Sequence, residues 1–135
     1  MKIIIAGSRT ITDYHLIEEA FEKSGFGNSI LGFCDTEIIS GCAPGIDTLA
    51  IEFAENHGYT IKTFPADWDN LTVLGAIIRE GKFGKYNANA GKDRNIQMAN
   101  YADALIAITN GSPGTAHMIS EATKRKLRVY VMNVI

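Results

Sequence analysis

Leu105 to Ala122, LIAITNGSPGTAHMISEA, constrains this 135-residue chain more than any other stretch. Leu105 to Ile108 read as a buried strand, Thr109 to Gly114 as a tight glycine-bearing turn, and a helix opens at about Thr115. A strand that empties through Gly, Ser and Thr into a helix N-terminus leaves backbone N–H groups unpaired, with the positive end of the helix dipole behind them. The stretch is therefore a candidate seat for a phosphate or a carboxylate. An ordinary βα turn that needs glycine for its backbone angles is the alternative.

Length bounds the rest: 135 residues at 46% hydrophobic and 21% charged composition make one domain, residues 1–135, with enough apolar material for a real core. The formal charge of −2 gives no general attraction to nucleic acid or to an anionic membrane, and no apolar run reaches spanning length. The apolar run in MKIIIAGSRT is too short for a secretory signal, so a cytoplasmic location is expected. Cys34 and Cys42 are too few and too unpatterned for a disulfide framework or a zinc site, and no metal or cofactor is expected.

Along the chain, Lys2 to Ala6 is a nearly continuous β-branched run, as in a strand buried on both faces of a parallel sheet, and it ends in Gly7-Ser8-Arg9-Thr10. Asp13 can cap a helix with Leu16, Ile17, Ala20 and Phe21 on one face, stopping near Ser24-Gly25. Glu37 to Ser40 is a second short strand and runs into Gly41-Cys42-Ala43-Pro44-Gly45. The next helix carries Ile46, Leu49, Ala50, Phe53 and Ala54 on one stripe, with His57-Gly58 closing it. Tyr59 to Phe64 reads as the third strand. Residues 69–92 read as a mobile surface loop, either a plain insertion or a lid. Lys92 to Tyr101 looks helical, Ala104 to Ile108 is the fourth strand, and Arg128 to Met132 the fifth. Lys124, Arg125 and Lys126 suit the end of the helix between those two strands.

Strands alternating with helices predict an α/β, Rossmann-like, doubly wound three-layer sandwich with a five-stranded parallel sheet in the order 3-2-1-4-5. Strands one and four are then neighbours whose following helices go to opposite faces, opening a crevice at their carboxyl ends. The turns at Gly7 and at Asn110 to Gly114 border it, with Gly41 to Gly45 beside them. Three glycine turns on one edge favour a phosphate-bearing ligand.

Five motifs in this order, GSRTITDY, SGCAPGIDTLA, FPADW, GKDRNIQMANYADALIAI and NGSPGTAHMISEA, resemble the SLOG superfamily. That Rossmann-like group includes DNA-processing protein A and the LOG phosphoribohydrolases, and the chain looks most like the small YspA/YpsA-related proteins of bacteria and phages. The resemblance implies a nucleotide or nucleotide-derived ligand across the crevice, such as ADP-ribose or a nucleoside monophosphate, often in a homodimer. It also bears on catalysis. LOG enzymes cut an N-glycosidic bond with an arginine ahead of strand four, matched here by Arg94, and with a glutamate in PGGxGTxxE, whose position is Met118. A thioether cannot do the work of a carboxylate. Glu121, one turn further on, is the remaining catalytic candidate beside Arg94, and LOG-type hydrolysis becomes the runner-up. A third reading is a single-stranded DNA-handling protein, whose SGxAxGxD turn is echoed in SGCAPGID; the acidic balance weakens it.

The candidate ligand contacts follow from residue chemistry. Arg9 and Arg94 suit bidentate phosphate contacts, with surface salt bridges as their alternative role. Ser8, Ser40, Ser112 and Thr115 can offer hydroxyls or cap helices, and Asp47 can complement a helix dipole or accept from ribose hydroxyls. Gly7, Gly41, Gly45, Asn95, Asn110, Gly111 and Gly114 complete the turns and their surroundings. Asp67 and Trp68 follow strand three, where Trp68 can stack on a base or cover the core edge. His117 follows the seat directly but lacks a matched carboxylate or nucleophile in the sequence pattern.

Overall fold

A computed structural model describes residues 1–26, 36–67, 78–81, 84–87 and 89–134 of the chain. The β-branched run forms β1 (Lys2–Gly7), followed by α1 (His15–Ser24), β2 (Glu37–Ser40), α2 (Ile46–His57) and β3 (Thr60–Thr63). Then come β4 (Ile78–Gly81), β5 (Gly84–Asn87), α3 (Ala90–Tyr101), β6 (Ala104–Thr109), α4 (Pro113–Lys124) and β7 (Arg128–Asn133). Five strands form a parallel sheet in the order β3-β2-β1-β6-β7, and β4 pairs antiparallel with β5 in a separate two-stranded sheet. The fold is α/β, with a parallel sheet and, among the described residues, four helices, consistent with a Rossmann-like architecture.

Two details depart from the sequence expectation. The strands expected as fourth and fifth are β6 and β7, because a hairpin precedes them within the segment read as one loop. That hairpin carries Arg79 and Glu80 opposite Tyr86 and Lys85, so it has no apolar run by which a strand is normally recognised. The helix α3 also begins two residues earlier than expected, at Ala90, and α4 begins at Pro113, where a missing N–H costs nothing at the first helical turn.

Alternation along the strands explains the layers. Ile3 and Ile5 of β1, with Ile38, Ile106 and Ile108, face the α1/α2 side and pack against Ile17, Ala20, Ile46, Ala50 and Phe53. Ile4 and Ala6, with Ile39, Leu105 and Ala107, face the other side and meet Met98 and Ala99 of α3 and Met118 and Ala122 of α4. Glycines end α1 and α2 as expected, whereas the N-cap of α1 is Tyr14 and not Asp13, with no side-chain cap hydrogen bond. The Asp13 side chain accepts from the His15 amide at 3.0 Å ahead of α1, and Gly25 and Gly58 close α1 and α2 in left-handed conformations.

The switch point lies between β1 and β6, whose ladder ends at Gly7 opposite Ile108. The Ser8 amide extends this ladder by donating to the Ile108 carbonyl at 3.1 Å. Gly7 is where α2 comes down onto the strand. A Cβ there would fall against the Ile108 carbonyl oxygen and lie 2.7 Å from Ile46 Cβ, so only glycine lets the two elements meet.

Candidate functional site

A cleft of about 520 Å³ opens at the carboxyl ends of β1 and β6, where a doubly wound sheet is expected to place one. Ala6 to Thr10 form one wall. Asn110 and Ser112 to Thr115, with His117 and Met118 of α4, form another, and α3 closes the third with Lys92, Arg94, Asn95 and Met98. Ala43 and Asp47 enter from the β2–α2 turn. Turns far apart in sequence thus border one space.

Hydroxyl groups stitch the β1 and β6 turns together. Ser8 Oγ lies 3.0 Å from Ser112 Oγ, and Ser112 Oγ donates to Thr115 Oγ1 at 2.9 Å. Ser8 Oγ also accepts from the Asn110 amide at 3.0 Å, and the Thr109 hydroxyl accepts from the Gly111 amide at 2.9 Å. In the β2–α2 turn, Ser40 Oγ accepts from the Cys42 amide at 3.1 Å and donates to the Asp47 carbonyl at 2.6 Å. The Asp47 carboxylate accepts from the Ala43 amide at 3.3 Å.

These bonds correct one expectation. The amides of Cys42, Ala43, Asn110 and Gly111 were expected to be open to an anion, but the protein's own side chains occupy them. Short hydroxyl and carboxylate side chains at turns compete for local N–H groups, and a motif does not reveal who wins. The Gly114 and Thr115 amides at the start of α4 have no partner among the described residues. The candidate anion seat therefore contracts to the first turn of α4 and the cations that line the same cleft.

Arg94 is the organised cation. Its Nε donates to Asn95 Oδ1 at 3.0 Å and its Nη1 to the Gly41 carbonyl at 2.5 Å, which fixes the guanidinium plane. Asp47 is 5% exposed, and burial pushes its carboxyl up to about 6, against the opposing pull of Arg94, the Ala43 and Gly7 amides, and Arg9. Burial also lowers the Arg94 guanidinium, which Asp47 partly offsets. The Cys42 thiol, exposed and free, is raised by burial and by the Asp47 charge, so it is not an activated nucleophile.

One network reaches across α3 and α4. Because Asn95 Oδ1 is taken by Arg94, its Nδ2 faces the Gly114 carbonyl at 3.3 Å and His117 Nδ1 at 3.1 Å. His117 Nδ1 is thereby the acceptor, and Nε2 carries the proton toward Glu121 Oε1 at 3.3 Å. Both ring nitrogens are engaged by the protein, so His117 enters the cleft wall as a braced residue and not as a ready base.

The first three of the five motifs fall within a family-model match that spans residues 1–70, more than half of the chain, and its description is that of the YspA, cpYpsA-related SLOG family. The chain belongs to that family. A comparison with curated proteins finds no match. In this SLOG protein the matched residues supply Ala6 to Thr10, Ala43 and Asp47 of the cleft, and the NGSPGTAHMISEA turn and the α3 residues around Arg94, which lie beyond the match, supply the rest. Membership in the SLOG family suggests a nucleotide-related role on a Rossmann-like scaffold.

Of the residues singled out from the sequence, Gly7, Ser8, Arg9, Asp47, Arg94, Asn95, Asn110, Ser112, Gly114 and Thr115 line the cleft. Ser40 is buried beneath the β2–α2 turn, Gly41 lines a smaller neighbouring pocket, and Gly45 packs against the main chain of Ser8 and Arg9. Gly111 and Asp67 do not line the cleft, and Asp67 is exposed. Trp68 and Cys34 lie outside the described residues. Glu121 also stays out of the cleft. It is bound by Arg125 at 2.5 Å and by Lys124 at 3.4 Å, and the Arg125 hydrogen bond lowers its carboxyl. Two of the three cations read as helix-end partners thus pair with it. Thr10, Lys92, Met98 and Pro113 join the lining without having been singled out. Met98 sits one turn after Arg94 on α3, so helical spacing alone was enough to find it.

Proposed function

We propose that the cleft binds a nucleotide or nucleotide-derived ligand of the ADP-ribose or nucleoside monophosphate type, and that the protein acts as a sensor or sequestering module. The observation that carries this is the convergence on one space of the open first turn of α4, the Ser8–Ser112–Thr115 hydroxyl cluster and the two arginines. A helix N-terminus with a fixed guanidinium opposite it is suited to phosphate oxygens. Pro113, exposed at the start of α4, supplies apolar surface for a ring. Asp47, the carboxylate that lines the cleft, is placed to receive hydroxyl donors and not phosphate.

Turnover is not part of the proposal. The position of the LOG glutamate is Met118, which is buried at the cleft wall, and Glu121 is turned to Arg125.

Calorimetry against AMP and ADP-ribose at about 100 μM protein should show binding, with no free base released on chromatography. Absence of heat with both would sink the proposal. Arg94→Ala should weaken phosphate-ligand binding at least tenfold, since a charge-assisted hydrogen bond contributes about 1.5–3 kcal/mol. Unchanged affinity in a folded Arg94→Ala protein would remove the guanidinium from the site.

A further inference from the structure

A second compartment of about 220 Å³ lies beside the cleft and shares three of its walls, Arg9, Ala43 and Arg94. Beyond those walls it is formed by Gly41, Cys42, Pro44, Pro65 and Ala66, the ends of the β2 and β3 crossovers. Among the described residues its lining holds no carboxylate, and the charged groups are the two arginines at its border with the cleft. The compartment is too small to be an independent ligand pocket, because such pockets usually exceed roughly 300 Å³. As an annex to the cleft it holds one ring.

The partition between the two spaces is fixed. Arg94 is pinned at the Gly41 carbonyl and at Asn95 Oδ1, and Gly41 makes room for it, since a Cβ there would lie 2.7 Å from Arg94 Cζ and 2.9 Å from Asp47 Oδ2. The Asn95 carboxamide bonds Arg94 on one side and the Gly114 carbonyl, at the first turn of α4, on the other. The Asn95 side chain therefore links the guanidinium to the first turn of α4, so that both border the same stretch of cleft. Past the arginines, the small rigid side chains of Pro44, Pro65 and Ala66 offer flat apolar contact with no charge to desolvate.

We propose that the smaller compartment is a second subsite of the same ligand, and that the ligand is a two-headed diphosphate. One half lies in the cleft, the diphosphate runs from the α4 amides to Arg94 and Arg9, and an uncharged distal ring enters the slot between Pro44, Pro65 and Ala66. This rests on the nucleotide reading above and narrows it from monophosphates to diphosphate-linked molecules.

Calorimetry with ADP and ADP-ribose as probes tests it, because both carry the adenosine diphosphate and only ADP-ribose carries the distal sugar, esterified on the terminal phosphate in place of an ionisable oxygen. ADP-ribose should bind at least about tenfold tighter than ADP. Ala66→Phe, which fills the slot, should bring ADP-ribose down to the affinity of ADP and leave ADP unchanged, a result that also shows the variant to be folded. In the wild-type protein, saturating ADP-ribose should slow iodoacetamide alkylation of Cys42 at a pH of about 8.5, followed by peptide mass spectrometry, whereas ADP should not. Equal affinities for the two probes, or equal protection of Cys42, would overturn the subsite and leave the nucleotide reading standing. Failure of both probes to bind would overturn the two together.

Discussion

Replacing Gly7 by alanine is expected to lower the stability of the fold by about 3 kcal/mol, at the upper end of what overpacking costs. The added methyl group would press on the Ile108 carbonyl oxygen and on Ile46, whose Cβ and Cγ1 both lie 2.7 Å from its position. The first of these is backbone in a central sheet pair, held by the Ser8 amide at 3.1 Å, and cannot turn away as a side chain can. The second is a fully buried residue in the first turn of α2. Relief therefore requires β1 and β6 to part or α2 to lift. Urea unfolding of the two proteins measures the loss, and a difference below about 1 kcal/mol would mean that the switch point is looser than its packing indicates.

The second large effect is one of pH and comes from Asp47. Its carboxyl is pushed up to about 6 in the fold, chiefly by burial, from an ordinary value of 3.8. Between those values the folded protein holds a proton that the unfolded chain has released, so stability falls as pH rises through this window. The contribution is full below about 3.8 and gone above about 6, and the difference corresponds to about 3 kcal/mol. Asp47→Asn removes the titration. The stability of the wild type relative to this variant should therefore fall by about 2 kcal/mol between pH 4 and pH 7, the part of the whole that lies inside that range, read from urea midpoints. A difference that is flat across that range would show that Asp47 is not desolvated as its 5% exposure implies.

Asp47 also shows the limit of reading a site from its motif. Its place in SGCAPGID supports both a helix-dipole role and a ligand role. In the fold it braces the β2–α2 turn through the Ala43 amide while lining the cleft. Ser8 is similar, since its hydroxyl is spent on the Asn110 amide and on Ser112. Glu121 was legible as a carboxylate near the seat, but its turn toward Arg125 depends on the facing of α4, which a spacing of three or four residues does not settle. The β4–β5 hairpin left no apolar alternation to find.

The apolar runs of β1, β2 and β6 and the Ile46-to-Ala54 stripe were enough to determine a layered α/β sheet with turns of three crossovers on one edge, because strand and helix periods are local properties of the chain. The partners of each polar group were decided only in three dimensions. Whether an amide meets a ligand or a neighbouring hydroxyl, and whether Arg94 points at Gly41 or at solvent, turns on contacts between residues far apart in sequence. Burial, against the opposing pull of Arg94, moved the Asp47 carboxyl toward neutrality, and no pattern of neighbouring letters carries that effect.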